Sequence, residues 1–109
     1  MVRRRSTLRD RKEKSVQIAL AVIDYFGGRC PKEMITLALR QAGYSPNNNA
    51  ASGPLSVLRA MQLIKEDDGD GDFVLWTDGY AAERGRQLIH WKTKEFVQPL
   101  IVEVFARDD

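Results

Sequence analysis

A chain of 109 residues, 43% hydrophobic and 29% charged, has the size and apolar content of one small domain with a single modest core. Its one cysteine, Cys30, excludes an intramolecular disulfide and a multi-cysteine zinc site, which points to a reducing, cytoplasmic setting. The net charge of +2 hides a polarity: residues 1–14 carry seven basic side chains against two acidic, a net +5, and the rest carry ten against thirteen, a net −3.

The basic arm, residues 1–14, includes Arg3, Arg4, Arg5, Arg9, Arg11 and Lys12. A basic end on a small domain commonly supplies phosphate contacts, with a solvated tail as the plainer alternative. The apolar run that follows, Val16 to Phe26, is interrupted by Asp24 and has no small-residue cleavage site behind it. It also falls short of the roughly 20 apolar residues that a membrane span needs, so neither export nor membrane insertion is expected.

Residues 15–92 read as the folded body. Val16, Ala19, Leu20, Ile23 and Phe26 share one helical face, widened by Ile18 and Val22, which predicts a well-buried first helix over Ser15 to Phe26, starting as early as Thr7. Gly27 and Gly28 end it. Pro31 suits the first position of a second helix carrying Met34, Ile35, Leu37, Ala38 and Ala42, closed by Gly43. Pro54 places the start of a third helix near Ser52 or Gly53, with Leu55, Leu58, Met61 and Val57 inward and Ser56, Arg59 and Gln62 outward. Two short strands, Leu63 to Asp67 and Asp72 to Trp76, flank a repeated Asp-Gly, a strong hairpin signal because glycine accepts the positive φ such turns need.

Beyond the hairpin, Asp78 to about Thr93 reads as a further amphipathic helix with Tyr80, Leu88, Ile89 and Trp91 on its apolar side and Thr77 or Asp78 as its cap. Residues 93–109 form an apolar C-terminal segment in which Phe96, Leu100, Ile101, Val104 and Phe105 recur at helical spacing; a strand over Leu100 to Phe105 is the competing reading, given its β-branched residues and Pro99. Either the segment packs back on the first helix, or those five residues pair with a second copy in a homodimer, which is the preferred expectation.

Three helices followed directly by a hairpin make the order of a winged helix-turn-helix. The stretch LALRQAGYSPNNNAASGPLSVLRAMQLI resembles the second and third helices of that family, and LWTDGYAAERGRQLI resembles its exit from the wing. The resemblance covers roughly residues 15–90 and implies a mostly α fold with a small β-hairpin, here extended by a C-terminal helical segment. It also implies a noncatalytic DNA-binding protein, a transcriptional regulator, contacting duplex DNA through the arm and the third helix. On that model Arg3, Arg4 and Arg5 run along or into the minor groove, and Asn47, Asn48, Asn49, Ser52, Ser56 and Arg59 face the bases. The competing function is a protein-interaction module built on the acidic wing and the apolar C-terminal segment.

Two positions depart from the family pattern. Gln62 stands where a left-handed glycine usually caps the recognition helix, at a cost of about 1 kcal/mol if the geometry were kept, so the helix is expected to end differently. The wing, which usually carries Lys or Arg, reads EDDGDGD from Glu66 to Asp72. Asp68, Asp70 and Asp72 match the first ligands of a calcium loop, but Phe73 then occupies the position that needs glycine and Gly79 the position that needs a bidentate Glu, so no metal is expected. The wing tip is expected to point away from phosphates. His90 has no second ligand or nucleophile near it in sequence, and no cofactor or catalytic constellation emerges.

Overall fold

The computed structural model describes residues 8–44, 52–67, 69 and 71–107, with side chains over 13–103 of these. It is mostly helical, with one small antiparallel sheet: α1 (Leu8–Tyr25), β1 (Arg29–Pro31), α2 (Lys32–Gln41), α3 (Ser52–Ala60), β2 (Ile64–Glu66), β3 (Phe73–Trp76), α4 (Gly79–Leu88) and α5 (Trp91–Arg107). None of the described helices is long and apolar enough to cross a membrane.

α1 is the centre. Ile18, Ala19, Leu20, Ala21, Val22 and Ile23 are all buried, and α1 packs against each of the other four helices. α2 contributes Ile35, Ala38 and Leu39 to this core, and α3 contributes Leu55 and Leu58. Pro54 is buried in the first turn of α3, where its missing N–H costs no helical hydrogen bond.

Three helices end in the same way. At the end of α1, Gly28 N–H donates to Ile23 O and Gly27 N–H to Asp24 O; after α2, Tyr44 N–H donates to Leu39 O and Gly43 N–H to Arg40 O. Gly27 and Gly43 take the positive φ that this paired closure requires, 78° and 96°. α3 closes identically, with Leu63 N–H to Leu58 O and Gln62 N–H to Arg59 O, and Gln62 holds φ at 63°. The expected change of ending therefore does not occur. The chain accepts a cost of about 1 kcal/mol at Gln62 because the closure delivers Leu63 and Ile64 into the core.

The sheet has the order β1-β3-β2, both pairs antiparallel, with Cys30 opposite Val74 and Lys65 opposite Leu75. β1 is the strand that periodicity missed: three residues, ending at Pro31, are too few to alternate visibly. Pro31 consequently serves as the residue before α2, in an extended conformation, and not as its first helical residue.

Trp76, at the end of β3, is clasped between two glycines. A Cβ on Gly28 would stand 2.8 Å from its Cδ1, and one on Gly85 would stand 2.5 Å from Cζ3. Gly85 and Ala81 are the buried residues of α4, so this helix reaches the sheet through its smallest side chains. That corrects the expected apolar side of the segment: Tyr80, Leu88 and Trp91 are exposed, and only Ile89 of the four is buried.

The expected single helix from Asp78 to Thr93 is broken. Asp78 caps α4 by accepting from Ala81 N–H at 2.8 Å, and Ile89 then turns extended. His90 starts α5, its carbonyl accepting from Thr93 N–H and its Nδ1 from Lys92 N–H. Residues 100–105 are helical, so the strand reading does not hold. α5 packs back on α1 and α2, burying Val97 and Ile101.

Candidate nucleic-acid interface

The expected DNA contacts fall into three groups. Arg3, Arg4, Arg5, Asn47, Asn48 and Asn49 lie outside the described residues. Arg9, Arg11 and Lys12 fall on the first turns of α1, which begins at Leu8 and thus turns half of the basic arm into helix backbone. Ser52, Ser56 and Arg59 are exposed on α3, spaced at one helical turn, while Leu55 and Leu58 on its other side are buried.

The base of the hairpin is not a free cluster of negative charge. Arg29 on β1 donates from Nε and Nη2 to Asp67 Oδ2 at 3.0 and 2.8 Å, with its guanidinium 3.8 Å from the centre of the Phe73 ring. Asp67 Oδ1 accepts from Gly69 N–H at 2.8 Å, which shapes the start of the turn. Lys32 Nζ lies 2.8 Å from Glu66 Oε2, and Arg59 Nη1 lies 3.5 Å from the same oxygen. The hydrogen bond from Lys32, more than its charge or that of Arg59, holds the Glu66 carboxyl below the usual carboxylate range. Three cations from β1, α2 and α3 thus meet two carboxylates of the hairpin. These five groups range from half-buried to exposed, so solvent screens the pairs and each adds little to stability, but the cations offset both carboxylates locally.

Arg29 and Lys32 were invisible as partners of the wing in the sequence, because they meet it only once β1 pairs with β3. Asp68 and Asp70, which carry the calcium register, lie outside the described residues; among those described, no three His, Cys, Asp or Glu side chains converge.

Cys30 is buried and His90 is tied into the α4–α5 corner. Burial pushes the Cys30 thiol up to about 12, so it stays protonated, with Sγ 3.3 Å from Pro31 O. His90 N–H donates to Gln17 Oε1 at 2.8 Å, and Gln17 Nε2 donates to Leu88 O at 2.6 Å, so one amide on α1 holds both sides of the α4–α5 corner.

Clefts open on the described surface, and two of them bear on function. The larger, about 670 Å³, lies between α1 and α5 and mixes Glu13 with Lys14, Lys92 and the exposed ring of Phe96. The smaller, about 370 Å³, lies between the end of α3 and the start of α4, with Lys65 of β2 on its wall. Of the residues expected at a dimer interface, Phe96 is 49% exposed, Leu100 is half-buried and Ile101 is only 2% exposed, committed to the chain's own core. The side chains of Val104 and Phe105 lie outside those described. No protein-family model, curated protein or solved structure matches the chain.

Proposed function

We propose that the chain is a noncatalytic winged helix-turn-helix protein that binds duplex DNA as a transcriptional regulator. The observation that carries this reading is the face of α3: Ser52, Ser56 and Arg59 stand together on the outward side of a helix whose inward side is fastened to the core. The element order, with β1 joining the hairpin as a third strand, supports it. The cations at the hairpin base support it further, since they remove part of the repulsion that EDDGDGD would offer a phosphate backbone.

In this reading the arm provides most of the affinity by displacing counterions, and α3 meets the major groove. Fluorescence anisotropy with random duplex at two salt concentrations tests it. Removing residues 1–14 is expected to weaken binding and to flatten the slope of log affinity against log salt by several units, each lost phosphate contact contributing about 0.9. An unchanged affinity and slope would overturn the role of the arm.

A homodimer built on residues 93–109 remains part of the proposal in a narrower form. With Ile101 buried, the surface available to a second copy is the side of α5 that exposes Phe96 and Val102. That same side is what a protein-interaction module would use. Sedimentation equilibrium is expected to show a dimer that Phe96→Ser dissociates; a monomer at high micromolar concentration removes the idea.

A further inference from the structure

The cleft between α3 and α4 combines positive charge with an open aromatic ring. Arg59, Lys65 and Arg84 line it, against a single carboxylate, Asp78, whose Oδ1 is already held by Ala81 N–H. Lys65 and Arg84 form no ion pair among the described residues, and Arg59 shares Glu66 with the closer Lys32. Tyr80 is 74% exposed, one helical turn before Arg84 on α4, and Met61 stands partly exposed on the opposite wall. A tyrosine so placed contributes nothing to the core. Of its cationic neighbours, Lys65 and Arg84 have no carboxylate partner among the described residues, and a ring beside such cations is the arrangement that binds anionic chains bearing flat rings.

We propose that this cleft binds single-stranded nucleic acid, with Tyr80 stacking on one base and Arg84 and Lys65 contacting the phosphates on either side. The volume suits about one nucleotide, at the lower end of small-ligand sites. Stacking accepts any base, because every base has a π face, so the site is indifferent to sequence. It goes beyond duplex binding by the arm and the outward face of α3, because Tyr80 and Arg84 belong to α4 and take no part in that contact. A protein with both sites would hold a duplex and capture an unpaired nucleotide beside it.

The experiment is an anisotropy titration of the full chain with labelled oligo-dT and, in parallel, with random duplex of equal length. Tyr80→Ala is expected to weaken oligo-dT binding roughly tenfold and duplex binding less than twofold. Arg84→Ala is expected to weaken oligo-dT binding and reduce its salt slope by about 0.7, the single-strand value for one phosphate contact. Both side chains are exposed, so thermal melting should match the parent. Unchanged oligo-dT binding in both variants, or equal losses on both nucleic acids, would overturn the proposal while leaving duplex binding through the arm standing. Tyr80-dependent oligo-dT binding without any duplex binding would do the reverse. Competition by poly-glutamate as effective as by oligo-dT would overturn the proposal too, reducing the cleft to a patch that binds anions by charge alone.

Discussion

α1 and α5 are nearly equal in length, eighteen and seventeen residues, and they lie against each other, yet they are buried in different ways. α1 buries six residues in a row, Ile18 to Ile23, which covers every direction around a helix axis. Among its described side chains α5 buries Val97 and Ile101, one line at a spacing of four, and leaves Trp91, Phe96 and Val102 in solvent. Both helices carry a long apolar run; what separates them is the number of neighbours. α1 is surrounded by α2, α3, α4, α5 and β1, whereas α5 rests on α1 and α2. Hydrophobicity therefore says that a segment seeks cover, and topology decides how much of it is covered.

Truncating equivalent side chains in the two helices gives the largest test of this difference. Ile23→Ala should cost about 3–5 kcal/mol in guanidinium unfolding, because its surroundings are fixed on all sides and the cavity cannot collapse. Ile101→Ala removes the same atoms from a helix with one open side, which can shift inward, and should cost about 2 kcal/mol. Equal losses would mean that α5 is as rigidly held as α1. A loss at Ile101 close to zero would mean that α5 is not docked in solution, and would free that helix for a partner.

The same contrast explains how much could be seen in advance. The first three helices were legible because each has a strong apolar stripe, with a glycine stop in the first two and a proline at the start of the third, and the hairpin because Asp-Gly repeats. Gln62 shows the limit of residue-type rules: without glycine α3 is expected to end differently, but the burial of Leu63 and Ile64 immediately after it outweighs a local cost of about 1 kcal/mol. The α4–α5 region was misread for a related reason. Tyr80, Leu88 and Trp91 have the larger apolar surfaces, but the indole of Trp76 leaves no room for a Cβ at Gly85, and Ala81 is buried one turn before it, so the small residues face inward and the large ones are turned out. Close packing selects by shape as well as by polarity.

The candidate site was legible only in part. The outward face of α3 followed from helical phase, and Ser52, Ser56 and Arg59 are where phase puts them. The charge of the wing did not follow. Five acids in seven positions read as a repulsive surface because a sequence shows a residue's neighbours along the chain, and the neutralising Arg29 and Lys32 lie more than thirty residues away. The cleft of Tyr80, Arg84 and Lys65 was missed for the same reason, since it exists only where the end of α3, β2 and the start of α4 come together.

The smallest predicted effect probes the contact that joins the two halves of the comparison. Gln17 reaches from α1 to the α4–α5 corner, accepting from His90 N–H and donating to Leu88 O, and its amide satisfies both because the corner presents a donor and an acceptor together. Both backbone groups lie near solvent, so water replaces Gln17 when it is removed, and the loss is far below that of a buried pair. Gln17→Ala should therefore lower stability by about 1 kcal/mol. Global unfolding alone would not separate this from a general loss of helix packing. Hydrogen exchange does: the His90 amide should lose protection in the variant while amides inside α1, such as that of Val22, change only by the global loss. Gln17→Glu keeps the acceptor for His90 N–H but sets a carboxylate against the Leu88 carbonyl, so it should restore protection at His90 without restoring stability. If His90 exchanges equally in all three proteins, the amide bridge is not formed in solution, and α5 is held to α1 by Val97 and Ile101 alone.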